Sequence, residues 1–236
     1  MHWGGIVFAA AAILLRAETV PFVGCPSTGH ASFPIPQSGP HRVDGISWET
    51  ASKLAYYAYQ HQGAYIGGGV LAPRGWQCMA WLGSSGTSLI VSPRVEVKAD
   101  WEAPVGPAVI ARWNAGSGRF QTGELIARAF PEYRSRLKSH FTDFGVSYVF
   151  RPFPYDTVVR RTPRIVEFQT PANRKGLGNL NGLPVAGALI YGAGVLQDGE
   201  DSFVITIRPP NGDGPLARTI LRHAVSEASP QHSGTR

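Results

Sequence analysis

Residues 67–93 read GGGVLAPRGWQCMAWLGSSGTSLIVSP, and the folding of this stretch decides the class of the whole chain. Trp76, Cys78 and Ala80 alternate with Gln77, Met79 and Trp81, a period of two that suits a pleated strand. Gly83, Ser84, Ser85 and Gly86 are four turn-formers in succession, and Thr87 to Val91 is a run with β-branched character. Two antiparallel strands joined by a tight turn are predicted.

Further along the chain, Ala108 to Trp113 reads as another strand. A helix is predicted from Gln121, because Leu125, Ile126, Phe130, Tyr133, Leu137 and Phe141 fall on one face, with Glu124 to Arg128 and Glu132 to Arg136 as pairs four apart. Pro131 kinks that helix or starts a second one. Strands follow at about 157–169, 186–196 and 202–208, then a helix over 215–226 built on Leu216, Ile220, Leu221 and Val225. Before the opening stretch, Ser47 caps a predicted helix over 48–60 with Leu54, Ala55 and Ala58 in its buried stripe. Helices and strands do not alternate as a doubly wound sheet requires. The expected fold is α+β, a mainly antiparallel sheet with two or three packed helices in a single domain.

The N-terminus runs through ten apolar residues, Ile6 to Leu15, before Arg16. That is too short to span a bilayer, which needs about 20, and fits the core of a signal peptide. Leu15 and Ala17 stand where small-residue cleavage sites place theirs, so a cut after Ala17 is expected; retention as an anchor is the alternative. The expected organisation is a signal peptide over 1–17, a Pro/Gly-rich extended arm over 18–46, a globular domain over 47–227 and a disordered tail over 228–236. No transmembrane segment is expected in the mature chain, and its setting is periplasmic or secreted.

Export gives the two cysteines, Cys25 and Cys78, a reading. In an oxidising compartment exactly one pair forms one bridge, which would pin the arm to the predicted hairpin. Lipid attachment at Cys25 fits less well, because Arg16 and Glu18 intervene after the apolar core and Phe22 occupies the place where Leu is usual. A redox pair would lie close in sequence as Cys-x-x-Cys, which this chain lacks.

Three kinds of site chemistry come into question. A serine hydrolase would use Ser84 or Ser85 with His61, His140 or His223, but Thr87 stands where Gly-x-Ser-x-Gly needs its last glycine. No metal site is expected, since the histidines show neither His-x-His nor His-x-x-x-His spacing, and no cofactor motif is present. A formal net charge of +6 permits contact with anionic surfaces. The candidates for an anion site are Arg160, Arg161, Arg164, Arg174 and Lys175, which precede or begin the loop NRKGLGNLNG; that loop lacks the Gly-Lys-Ser/Thr ending of a nucleotide loop. No nucleic-acid partner is expected.

The phrases GVLAPRGWQC, GSSGTSLIVSP, SGRFQTGELIARAFPEY and VEFQTPANRKGLG together resemble a family of exported bacterial proteins whose activity is uncharacterised. The resemblance covers most of the chain after Ala17 and implies secretion and one integrated domain, without any catalytic residue. The expected function is a non-enzymatic binding or accessory protein of the cell envelope touching an anionic component; the alternative is a hydrolase with a Ser/His site near the GSSG turn.

Overall fold

A computed structural model describes residues 17–61, 65–84, 86–95, 104–114, 119–143, 145, 147, 149–197 and 201–229. The expected signal peptide, Ala17 apart, and the expected tail beyond Ser229 lie outside the described residues, as does Ser85.

Glu18–Cys25 (β1), Gly39–Val43 (β3), Leu54–His61 (β4) and Tyr65–Pro73 (β5) make a four-stranded sheet in the order β3-β1-β4-β5. The second sheet has eight strands: Ser27–Gly29 (β2), Gln77–Gly83 (β6), Gly86–Ser92 (β7), Ala108–Asn114 (β8), Thr157–Thr162 (β9), Ile165–Thr170 (β10), Ile190–Leu196 (β11) and Ser202–Arg208 (β12). Their order is β2-β6-β7-β8-β12-β11-β10-β9. Among the described strands only β1 with β4 and β2 with β6 pair in parallel. The predicted hairpin is β6 and β7, with Gly83 opposite Gly86.

The large sheet is covered on both faces. Leu89, Val91, Val109, Ala111, Phe203 and Ile205 share one core with the small sheet and with the helix Gly214–Ala228 (α5). On the other face Val166, Phe168 and Val204 meet Arg119–Ala129 (α2) and Leu177–Leu180 (α4), and Ile90, Ala108, Ile110 and Ile190 meet Leu183. Burial on both sides explains why β11 and β12 are enclosed at every position and do not alternate apolar with polar. The architecture is α+β with two mostly antiparallel sheets, and the core common to both sheets and α5 unites them.

Several elements differ from the sequence reading. The helix expected over 48–60 stops at Lys53: Trp48–Lys53 (α1) is capped by Ser47, whose Oγ accepts from the Thr50 amide at 3.3 Å, and Leu54 is extended (φ −114°, ψ 157°). Residues Leu54 to Tyr59 lie inside the small sheet and are buried on both faces, so no period of two marks the strand. Residues 18–46, expected as an arm, contribute β1, β2 and β3, and β1 is an inner strand. The run expected as one strand over 157–169 is a hairpin turning at Pro163 and Arg164. At Pro131 the helix does break. Phe130 is extended, as a residue before proline prefers, and a short 3-10 turn, Pro131–Tyr133, leads into Arg134–Asp143 (α3).

Cys25 and Cys78 form a disulfide with Cα atoms 5.3 Å apart and 53 positions between them. It ties the end of β1 to β6 and so fastens one sheet to the other. Closing a loop of that length contributes roughly 4 kcal/mol by restricting the unfolded chain. No helix of the described residues is long and apolar enough to cross a membrane.

Candidate binding cleft

Helix α5 lies over β11, β12 and the free edge of β5, and its packing sets up the site. Asp213 caps it by accepting from the Leu216 amide at 3.0 Å. Leu216, Ile220 and Leu221 fill the core near its start, but towards its end the buried residues are Ala224 and Ala228. Small side chains there leave space. A cavity of about 330 Å³ opens between Ala224, Glu227 and Ala228 of α5, Tyr56 of β4, Gly68 and Gly69 of β5, Trp113 of β8 and Phe203 of β12.

The two glycines are required by close approach. A Cβ on Gly68 would stand 2.8 Å from the Trp113 ring, and one on Gly69 would stand 2.5 Å from the Tyr56 ring. Neighbouring strand residues face opposite ways, so the pair lets one ring lie against each face of β5. Trp113 also packs against Phe203, with ring centroids 5.2 Å apart, and against Tyr59 at 5.9 Å.

At the polar end, the Tyr56 hydroxyl donates to Glu227 Oε2 at 3.3 Å. His223, one turn earlier on α5, places Nδ1 3.6 Å from the same oxygen, beyond hydrogen-bond range. His41 of β3 stacks on the Tyr56 ring at 3.7 Å with the planes 10° apart, and His223 meets that ring edge-on at 6.2 Å.

This enclosure sets the protonation states. Burial pushes the Glu227 carboxyl up to about 7, against the opposing effect of the Tyr56 hydrogen bond. Burial, and next the charge of His41, lower His223 to about 4, while Asp44 pulls the other way. Burial lowers His41 as well. Burial and then the Glu227 charge push the Tyr56 phenol above its ordinary range, so it donates and does not ionise. Of this cluster, Glu227 is therefore the group that gains or loses its proton near neutral pH.

The residues expected from sequence lie elsewhere. Arg160 and Arg161 are neighbours on β9 and engage different partners: Arg160 is bound to Glu132 and lies over the Phe130 ring, and Arg161 contacts Glu167 Oε2 at 2.7 Å. Arg164 is in the β9–β10 turn, where its amide donates to Thr162 Oγ1. Arg174 covers the Tyr155 ring at 4.4 Å, and Lys175 follows it in the exposed loop. Ser84 sits exposed in the β6–β7 turn and does not line the cavity; His61 packs edge-on against Phe33, and the His140 side chain lies outside the description. No cluster of three or more metal-binding side chains exists among the described residues.

Sequence reasoning missed the cleft, although two signals pointed to it. Consecutive glycines inside a strand mark a close approach, and His223 and Glu227 stand four apart on an amphipathic helix. The chain matches no family model, no curated protein and no solved structure.

Proposed function

We propose that the protein is an exported binding domain whose ligand seat is the cleft between α5 and β5. The observation that carries this reading is a cavity of about 330 Å³ bounded by three rings, two glycines and a single carboxyl group. Small-molecule sites have this make-up: rings provide contact area and a few polar groups fix orientation. Among the described residues the lining offers Tyr56, Glu227 and the Trp113 indole as polar groups and no serine, threonine, cysteine or lysine, which favours binding over covalent catalysis. The Cys25–Cys78 bond supports an oxidising setting, periplasmic or secreted.

A fragment screen followed by NMR on the full chain tests the reading. Ligands should perturb the Gly68, Gly69 and Trp113 signals, and Ala224→Leu, which fills the cavity, should abolish those shifts. Hits that leave these signals unmoved and map to the Arg174 loop would reject it.

A further inference from the structure

We infer that the cleft takes a small organic cation, an ammonium group on a compact apolar body, with Glu227 as its counter-charge and Trp113, Phe203 and Tyr56 as its walls. The inference rests on the cleft being a ligand seat, and it concerns the chemistry of the occupant.

Glu227 is the starting point. Its side chain is 39 % exposed, and among the described residues its partners are Tyr56 and His223, with no lysine or arginine. Glu49, Glu124, Glu132, Glu167 and Asp44 each contact a Lys or Arg, and Asp156 and Asp213, which among the described residues also lack one, accept from the backbone amides of Leu177 and Leu216. A carboxylate at the mouth of a cavity, with a phenol as its hydrogen-bond partner and no counter-charge, is open to pairing with a bound cation. Tyr56 holds Oε2, which fixes the carboxylate and leaves Oε1 to meet a ligand.

The walls favour the same charge. Aromatic faces carry negative potential and attract ammonium groups, most strongly where water is displaced. The groups facing Glu227 do not supply the missing charge: Tyr56 keeps its proton, and burial holds His41 and His223 neutral at ordinary pH, Asp44 acting on His223 in the opposite sense. An anionic ligand would meet this carboxylate directly. A bare metal ion is unsuited, because calcium takes 6–8 oxygen ligands and the lining provides one carboxylate. The volume exceeds that of a trimethylammonium group, leaving space for the body that carries it.

Only the ionised form of Glu227 offers the counter-charge, and that carboxyl titrates at about 7. Affinity for a cation therefore rises about tenfold between about pH 6 and about pH 8, as the ionised fraction grows.

Choline and its neutral isostere, in which carbon replaces the quaternary nitrogen, provide the test. Each is titrated into the full chain while the Trp113 indole signal is followed by NMR. Choline should shift the signal, bind at least about tenfold more tightly than the isostere, and show the stated rise with pH. Glu227→Gln should remove both the charge preference and the pH dependence while the other indole signals stay in place. The wild-type pH series gives a second reading if that variant folds poorly. Equal binding of the two compounds, or choline affinity that does not rise with pH, overturns the cation inference and leaves the cleft standing. If neither compound moves the Trp113 signal, the cation inference also fails, and the fragment screen decides whether the cleft falls with it.

Discussion

The cleft and the β9 edge both hold charged groups beside aromatic rings, yet they treat charge in opposite ways. On β9 every residue is exposed, Arg160 and Arg161 are matched by Glu132 and Glu167, and solvent screens the pairs. In the cleft Glu227 has a phenol and a neutral imidazole for neighbours, and its protonation is displaced towards neutrality. A dense run of arginines in sequence is therefore the region of ordinary surface chemistry, and an isolated glutamate near the end of a helix is the unusual group. Local charge density is a poor guide to function when the fold supplies partners.

The largest expected effect comes from breaking what holds the cleft together. Replacing Cys25 and Cys78 by Ala removes the tie between β1 and β6 and should cost about 4 kcal/mol by denaturant titration. In that variant, amide exchange should quicken in β4 and β5, with much less change in the β9–β10 hairpin. Equal loosening of both regions would erase the distinction.

Next come the glycines. Gly69→Ala and Gly68→Ala force the Tyr56 and Trp113 rings from their places and should each cost about 1–3 kcal/mol, measured the same way. Thr157→Ala on exposed β9 should change stability by less than about 0.5 kcal/mol.

The pH response sharpens the contrast further. Glu227 is raised in the fold, so the stability it lends is full below about 4.5 and is lost as pH rises through about 7. His223 is lowered, so its share is full above about 6.5 and is lost as pH falls through about 4. The two opposite slopes nearly cancel between about pH 4.5 and 6.5, giving the wild type a flat profile there. Glu227→Gln should then lose stability towards acid, and His223→Gln should lose it towards neutrality, each by about 1 kcal/mol after allowance for solvent screening. Melting curves across this range would show it, and parallel profiles for all three proteins would refute it.

The smallest effect belongs to β9. Arg160→Ala should leave the melting temperature within about 1 °C of wild type, as exposed pairs contribute little.

What the sequence made legible follows from this same division between local and distant partners. The β6–β7 hairpin, the Ser47 cap, the break at Pro131 and the cysteine pair each rest on adjacent residues or on a count of two, and each is present. β4 was misread because a strand buried on both faces carries no alternation, and β1 because its neighbours β3 and β4 begin more than a dozen residues later. The cleft was invisible for a stronger version of this reason: Tyr56 and Glu227 stand 171 positions apart, and nothing near either residue announces the other. Arg160 and Arg161 illustrate the same division, since each is matched by an acid, Glu132 and Glu167, that adjacency in sequence does not single out.

The place of α5 in the chain order also has a kinetic meaning. It is the last described element, and it provides Ala224, Glu227 and Ala228, one whole side of the cleft, while Tyr56 and the two glycines come from the first third of the sequence. A chain emerging from its N-terminus assembles β1, β4 and β5 long before α5 exists, so the edge of β5 at Gly68 and Gly69 stays uncovered until the last helix docks. Occupancy of the cleft is thus a property of the finished molecule alone.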